Sequence, residues 1–408
     1  MAKKDVLRIA RAQNPRMTRR KFVTLAGGAV AVVALAGGGY YFLNQPKGIE
    51  ETTATQTAVE TTAAQTASSW VKPESIRYDG WGGSAQEIIS RVGFKSFEEE
   101  YGIKVVEGSF GQTSELMSKI KAAGGGEWDL IEGDNDTIYF GTVEELWQPL
   151  ELANIPNHDK LPEIFRTNGF GAFDPGVKDG VYHGIPGPMY GTTPIVINTN
   201  RVSPEPDSIA ALWDETWKGR MCLENYWITR MRYAAEYLGQ DYNNISDVNA
   251  VWSALQEQQK LVFKYWDSGS EMEQMCTNEE AWIGDLWGGR VLKLAQRGIP
   301  VKAINPKEGT EVWTDALVVP INAPHKYEAE LLINWLLEPK INEAMALEYL
   351  YPPIIDDKYL SDSVKEKLKE LPDYVGSDYS KLGCASTGYY TDHKQEWTEK
   401  WEAVKAGQ

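Results

Sequence analysis

Cysteine and histidine are scarce in this chain of 408 residues. The three cysteines (Cys222, Cys276, Cys384) and four histidines (His158, His183, His325, His393) are widely spaced. With no Cys-x-x-Cys pair and no Cys/His cluster, the sequence offers no zinc-type ligand set. Three thiols permit at most one disulfide within a monomer. No Gly-x-Gly-x-x-Gly follows a strand-like segment and no Walker loop occurs, so dinucleotide and P-loop chemistry lack support. The Gly124-Gly125-Gly126 run reads as a turn. There is no Ser/His/Asp nucleophile elbow and no haem, iron–sulfur, flavin or molybdenum ligand pattern, so neither an enzyme nor a cofactor is expected. The absence of an internal repeat argues against a surface array.

Positive charge is scarce too, and it is concentrated. Residues 1–22 hold eight Lys/Arg against one acid, Asp5, so of the net −17 the rest of the chain carries −24. A body this acidic repels phosphate backbones, which excludes nucleic acid as an expected partner. A basic head on an acidic body is an export pattern. Thr18-Arg19-Arg20-Lys21-Phe22-Val23 matches the twin-arginine signal, a basic pair followed closely by a large apolar residue. Val23 to Leu43 is apolar and long enough to span a bilayer, although its five glycines lower helix propensity. No Ala-x-Ala site or lipobox cysteine follows it, so an uncleaved membrane anchor is expected, with residues 1–22 on the cytoplasmic side and the body outside, periplasmic or at the cell surface. Residues 44–74, rich in Thr, Ala, Gln and Ser between Glu51 and Ser69, read as a flexible stalk.

Tryptophan is abundant at 15 copies, which suits an aromatic-lined cleft as well as a core. From Ile76 the pattern alternates. Ile76–Tyr78 reads as a strand and Ala85–Tyr101 as a helix stopped by Gly102. Ile103–Glu107 is a second strand, Glu115–Ala123 a second helix, and Trp128–Ile131 a third strand. That order predicts a parallel, doubly wound sheet, whose ligands sit at the carboxyl ends of the strands. Thr193–Ile197, Arg220–Leu223 and Ala281–Gly284 read as strands of a second sheet, and Ala316–Pro320 as a buried-type strand. Val248–Gln259, capped by Asp247, Lys326–Leu337 and Lys394–Ala406 read as helices. Trp397 and Trp401, four apart in the last helix, read as packing.

The segments Tyr78-Asp79-Gly80-Trp81, Tyr101 to Val106, Trp128 to Ile131 and Gly184-Ile185-Pro186 carry a resemblance. They are joined by Leu212-Trp213 with Trp217 to Arg220, Pro306 to Gly309 through Trp313-Thr314-Asp315 to Pro320, and Ile333 to Leu337 with Tyr351-Pro352. In that order the body resembles the periplasmic spermidine/putrescine-binding proteins, solute receptors of ABC importers. The resemblance spans about Ser75 to Gly407. It implies two α/β lobes around a ligand cleft, 75–192 plus 313–358 and 193–312 plus 359–408. Crossing hinge segments would fall near Gly191–Ile195, Val312–Leu317 and after Tyr351. It also implies two partners: a small-molecule ligand and ABC permease subunits in the membrane.

Residue by residue, the resemblance puts Trp81, Trp287 and Trp313 at cleft aromatics, Asp315 at a ligand carboxylate and Tyr351 at the rim. Asp134, Asn135 and Asp136 fall in the loop after the third strand, though Asp134 and Asp136 are equally placed to cap the next helix. Aromatic faces attract ammonium groups, and carboxylates accept their hydrogen bonds. The sequence departs from the family in the second lobe. Polyamine binders supply two carboxylates there, and the segment from Glu224 to Arg230 holds one acid, with Tyr226 the ligand contact expected from it. Arg230, Arg232 and Arg290 near the cleft favour an anionic group on the ligand. An amine or polyamine-like cation is expected. A thiamine-like, zwitterionic or anionic solute, iron held by tyrosines around Tyr389-Tyr390, and an exported enzyme stay open.

Overall fold

A computed structural model of the chain describes residues 71–110, 113–166, 176–178, 180–379, 382–383 and 385–407. The export signal, the anchor, most of the stalk and Cys384 lie outside the described residues. Every described helix and strand belongs to one unit, Pro73–Gln408. Among the described residues no helix is long and apolar enough to cross a membrane.

The strands in chain order are β1 Ser75–Gly80, β2 Lys104–Ser109, β3 Leu130–Gly133, β4 Val177–Lys178, β5 Val181–Tyr182, β6 Gly184–Thr192 and β7 Ile195–Asn198. They continue with β8 Met221–Glu224, β9 Val262–Trp266, β10 Ile283–Asp285, β11 Val301–Ile304, β12 Thr310–Val318 and β13 Leu382–Gly383. One sheet runs β13-β12-β3-β1-β2, with β6 also paired to β12. The other runs β11-β7-β10-β8-β9, and β4 and β5 form a small ribbon. The parallel core expected from the alternating pattern is β2-β1-β3. β12 then joins β3 antiparallel, which makes the first sheet mixed.

Local sequence explains the boundaries. Gly102 closes the helix Lys95–Tyr101 in the left-handed conformation that glycine tolerates. The stretch read as one helix contains a π-helical turn, Ile89–Phe94. Asp247 caps Val248–Gln259 by accepting the Ala250 amide at 3.0 Å. Trp397 and Trp401 are buried against the helix Val248–Gln259 and its neighbours. Cys222 and Cys276 are free and buried.

Two chain passages between the sheets are direct. β6 leads through Thr193-Pro194 into β7, and β11 leads through 305–309 into β12. The Thr193 amide donates to the Glu311 carbonyl at 3.0 Å, which ties the two passages together. The tail divides otherwise than its resemblance implies. Leu360, Val364, Leu368 and Leu371 pack into the core of the first sheet, Gly383 lies against Arg232 and Tyr242, and from Ala385 the tail packs into the core of the second sheet's helices. The apolar face of Asp362–Leu368 is covered by first-sheet residues, a long-range choice that its own periodicity does not disclose.

Candidate functional site

Between the two sets of strands lies a cavity of about 440 Å³, within the usual range for a small-molecule site. Trp81 follows β1 and Asp134 follows β3, both at carboxyl ends of parallel strands, as doubly wound sheets place their ligand contacts. Trp313 and Asp315 come from β12, with Glu311 two residues earlier. Val312 and Thr314 between them line the cavity as well, so five successive residues of β12 contribute to it. Opposite Asp315 the β12–β6 ladder loses register between Thr314 and Ala316. Pro186 and Pro188 sit on β6 at that point and cannot donate ladder bonds. The irregularity leaves Asp315 without a ladder partner, facing the cavity.

The second sheet supplies Glu224, from the end of β8, and Tyr226, Ile228 and Thr229 from the start of the helix Trp227–Tyr237. Trp287 caps the helix Gly288–Gln296. The aromatic wall is continuous. Trp287 meets Trp313 edge-on at 6.5 Å, and Trp313 meets Tyr351 at 5.1 Å. Gly191 lets Trp313 lie flat on β6, since a Cβ there would stand 2.2 Å from its ring.

The acids of the site carry the electrostatics. Asp134, Glu224, Glu311 and Asp315 all line the cavity, and among the described residues no Lys, Arg or His does. Burial lifts Glu224 to about 8, with Asp285 and Glu311 repelling its charge and Arg230 opposing the rise. Burial also raises Glu311, against the pull of Arg232 and Arg230. Asp315 is held well above the usual carboxylate range, by burial first and then by Glu132 and Asp134. Desolvation and like charge both disfavour a second anion there.

Of the nine residues singled out from the sequence, the cavity gathers Trp81, Asp134, Tyr226, Trp287, Trp313 and Asp315. Tyr351 stands behind Trp313 and is buried, away from any rim. Asn135 and Asp136 open the helix Asn135–Val143, and their side chains lie outside the described residues. The three arginines are not anion anchors. Arg230 is fully buried in an ion pair with Asp285. Arg232 pairs with Glu236 at 2.9 Å, and Arg290 with Glu273 at 2.6 Å. Tyr390 donates to the Tyr242 carbonyl, and the Tyr389 hydroxyl accepts the Ile245 amide, so both are engaged in packing. The sequence reading missed Glu311, for which its place two residues before Trp313 was the available signal. It undervalued Glu224, whose signal was its place at the carboxyl end of β8.

Two mixed α/β halves, tied by short passages and enclosing an aromatic-walled cavity set with acidic side chains, define a ligand receptor of the two-lobed kind. The chain belongs to the bacterial extracellular solute-binding protein family, whose model matches residues 94–372. It is 27% identical over 322 residues to the spermidine/putrescine-binding periplasmic protein of Escherichia coli, covering 77% of this chain and 87% of that one. It is 21% identical over 355 residues to the gamma-aminobutyric acid-binding protein of Pseudomonas aeruginosa, covering 83% and 93%. Its fold matches a spermidine/putrescine ABC transporter substrate-binding protein from Streptococcus pneumoniae with a TM-score of 0.67 and 19% identity. That match covers 81% of this chain and 99% of the other.

Proposed function

We propose that this receptor binds a cationic amine in the cavity and delivers it, unaltered, to the permease of an ABC importer. The observation that carries this reading is a lining that holds four acidic side chains and, among the described residues, no basic one. A desolvated carboxylate gains most from a charge-assisted hydrogen bond, about 1.5–3 kcal/mol, and an ammonium group is the donor that fits. Trp81, Trp287 and Trp313 supply apolar faces for a methylene chain and attraction for its charge. The names of the E. coli and S. pneumoniae relatives support the same ligand class. With Glu224 and Glu311 on one side and Asp315 and Asp134 on the other, a ligand with an ammonium group at each end fits better than a monocation.

The halves act as lobes that close on the ligand by bending at Thr193-Pro194 and 305–309. The twin-arginine pair Arg19-Arg20 directs export, and Val23–Leu43 tethers the receptor outside the membrane. A thermal-shift screen of the purified chain tests the reading. Putrescine or spermidine raises the melting temperature by linkage, and dicarboxylates do not. Stabilisation by dicarboxylates alone would reverse the assigned charge.

A further inference from the structure

Glu132, on β3, takes no part in lining the cavity, yet it stands directly behind the side chain that does. It is 5% exposed. Its carboxylate accepts a hydrogen bond from the Tyr78 hydroxyl on β1. The β3–β12 register sets Glu132 opposite Leu317, which puts Asp315, two residues along β12, on the same face as Glu132 and beside it. A buried carboxyl group and a half-buried one on neighbouring strands disfavour double ionisation through desolvation and like charge, so the pair holds a proton.

The groups facing the pair come from every element packed against it. Tyr78 lies on β1 and the Trp81 indole N–H just after it. Asp134 follows β3, and Tyr349 ends the helix Pro339–Tyr349. The Tyr349 hydroxyl is committed to the Ala85 carbonyl at 2.9 Å. None of these groups is a cation. The electrostatics agree with the geometry: burial lifts Glu132 to about 7, against the pull of Tyr78 and Asp315. Among the described residues no cation faces the pair, and the cavity, on which Asp315 keeps an open face, is the route by which one can arrive.

We propose that Glu132 is a specificity-determining residue that keeps a proton on Asp315 in the empty site, which an incoming ammonium group displaces to solvent. The inference rests on the cationic-ligand reading above. The step balances simply. The Asp315 O–H bond breaks, the proton passes to bulk water, and the new carboxylate accepts hydrogen bonds from the ammonium N–H groups. A neutral hydroxyl-bearing solute can bond to the protonated acid but cannot expel its proton. The pair thus discriminates by charge and not only by hydrogen-bonding shape.

The experiment is calorimetric titration of the full chain with putrescine and with spermidine, in buffers of different ionisation heat, across pH 5 to 8. The expected wild-type result is net proton release, with Kd rising toward about tenfold per pH unit on the acid side. Glu132→Gln, which removes the like charge and keeps an acceptor, lowers the release by about one proton and flattens that slope. Tyr78→Phe withdraws a donor from Glu132 and shifts the acid-side loss to higher pH, an independent readout if Glu132→Gln does not fold. A purely structural role for Glu132 would leave the proton count unchanged. Amine binding with equal proton counts in wild type and Glu132→Gln overturns the inference and leaves the cationic reading standing. Failure of both amines to bind at any pH takes down the two together.

Discussion

The two ends of the cavity hold the same kind of group in different company. At the first-sheet end, Asp315 faces Glu132 and Asp134, and among the described residues no basic side chain lines the cavity beside it. At the second-sheet end, Glu224 and Glu311 stand in front of Arg230 and Arg232, which are buried and paired with Asp285 and Glu236. Guanidinium groups stay ionised at any working pH, so the acids of the second end have fixed positive charge behind them, although burial still lifts Glu224 to about 8. The first end has only a proton to hold. Both ends therefore hold protons near neutral pH, and they differ in that the second has fixed positive charge offsetting part of its acidity.

The largest expected effect lies at the compensated end. Asp285→Ala leaves Arg230 buried without its partner and frees the Glu224 amide that Asp285 holds at 2.7 Å. Urea denaturation should show a loss of about 3–5 kcal/mol. If Asp285→Ala were nearly neutral, Arg230 would not depend on that pair and the contrast between the ends would fail.

Next comes pH. The unfolded chain releases protons from Glu224 and Glu132 near 4.5, whereas the folded protein holds them to about 8 and 7. Folding is thus favoured by these two groups below 4.5. That contribution disappears as pH rises from 4.5 to about 8, at up to about 1.4 kcal/mol per pH unit for each proton. Saturating amine should flatten the decline, because the ligand replaces the protons. Ligand-free stability that rises over the same range, in a protein whose other carboxylates have been shown not to dominate it, would contradict the burial argument.

Binding separates the ends more finely. Asp315→Asn should weaken a diamine by roughly tenfold, about 1.4 kcal/mol, leaving Asp134 to carry the negative charge of that pole. Glu311→Gln should cost about threefold, because Arg232 and Arg230 already offset part of the Glu311 charge. The reverse order, read by calorimetry, would mean that the arginines do not screen that end.

Much of this was legible from residues alone, because it depends on local pattern. Strands around Ile76–Tyr78 and Trp128–Ile131, the stop at Gly102 and the cap at Asp247 follow from period, glycine conformation and side-chain hydrogen bonding. The order of segments disclosed the family, and with it Trp81, Trp287, Trp313 and Asp315. What stayed hidden was decided across the chain. Arg230 meets an aspartate 55 residues away, so its charge could not be read as spent. Tyr351 shares its wall with Trp313, yet which of the two reaches the cavity depends on the close approach of Gly289 behind Tyr351. The division of the tail at Ala385 depends on which core covers Val364 and Leu368, and no local signal encodes that.

The most direct test of the central claim is a calorimetric comparison of three ligands of equal chain length on the full chain at neutral pH. They are putrescine, gamma-aminobutyric acid and succinate, with two, one and no ammonium groups. Four lining carboxylates, divided between the two ends, predict that affinity falls steeply in that order, with no measurable binding of succinate. Tighter binding of succinate than of putrescine would contradict the account.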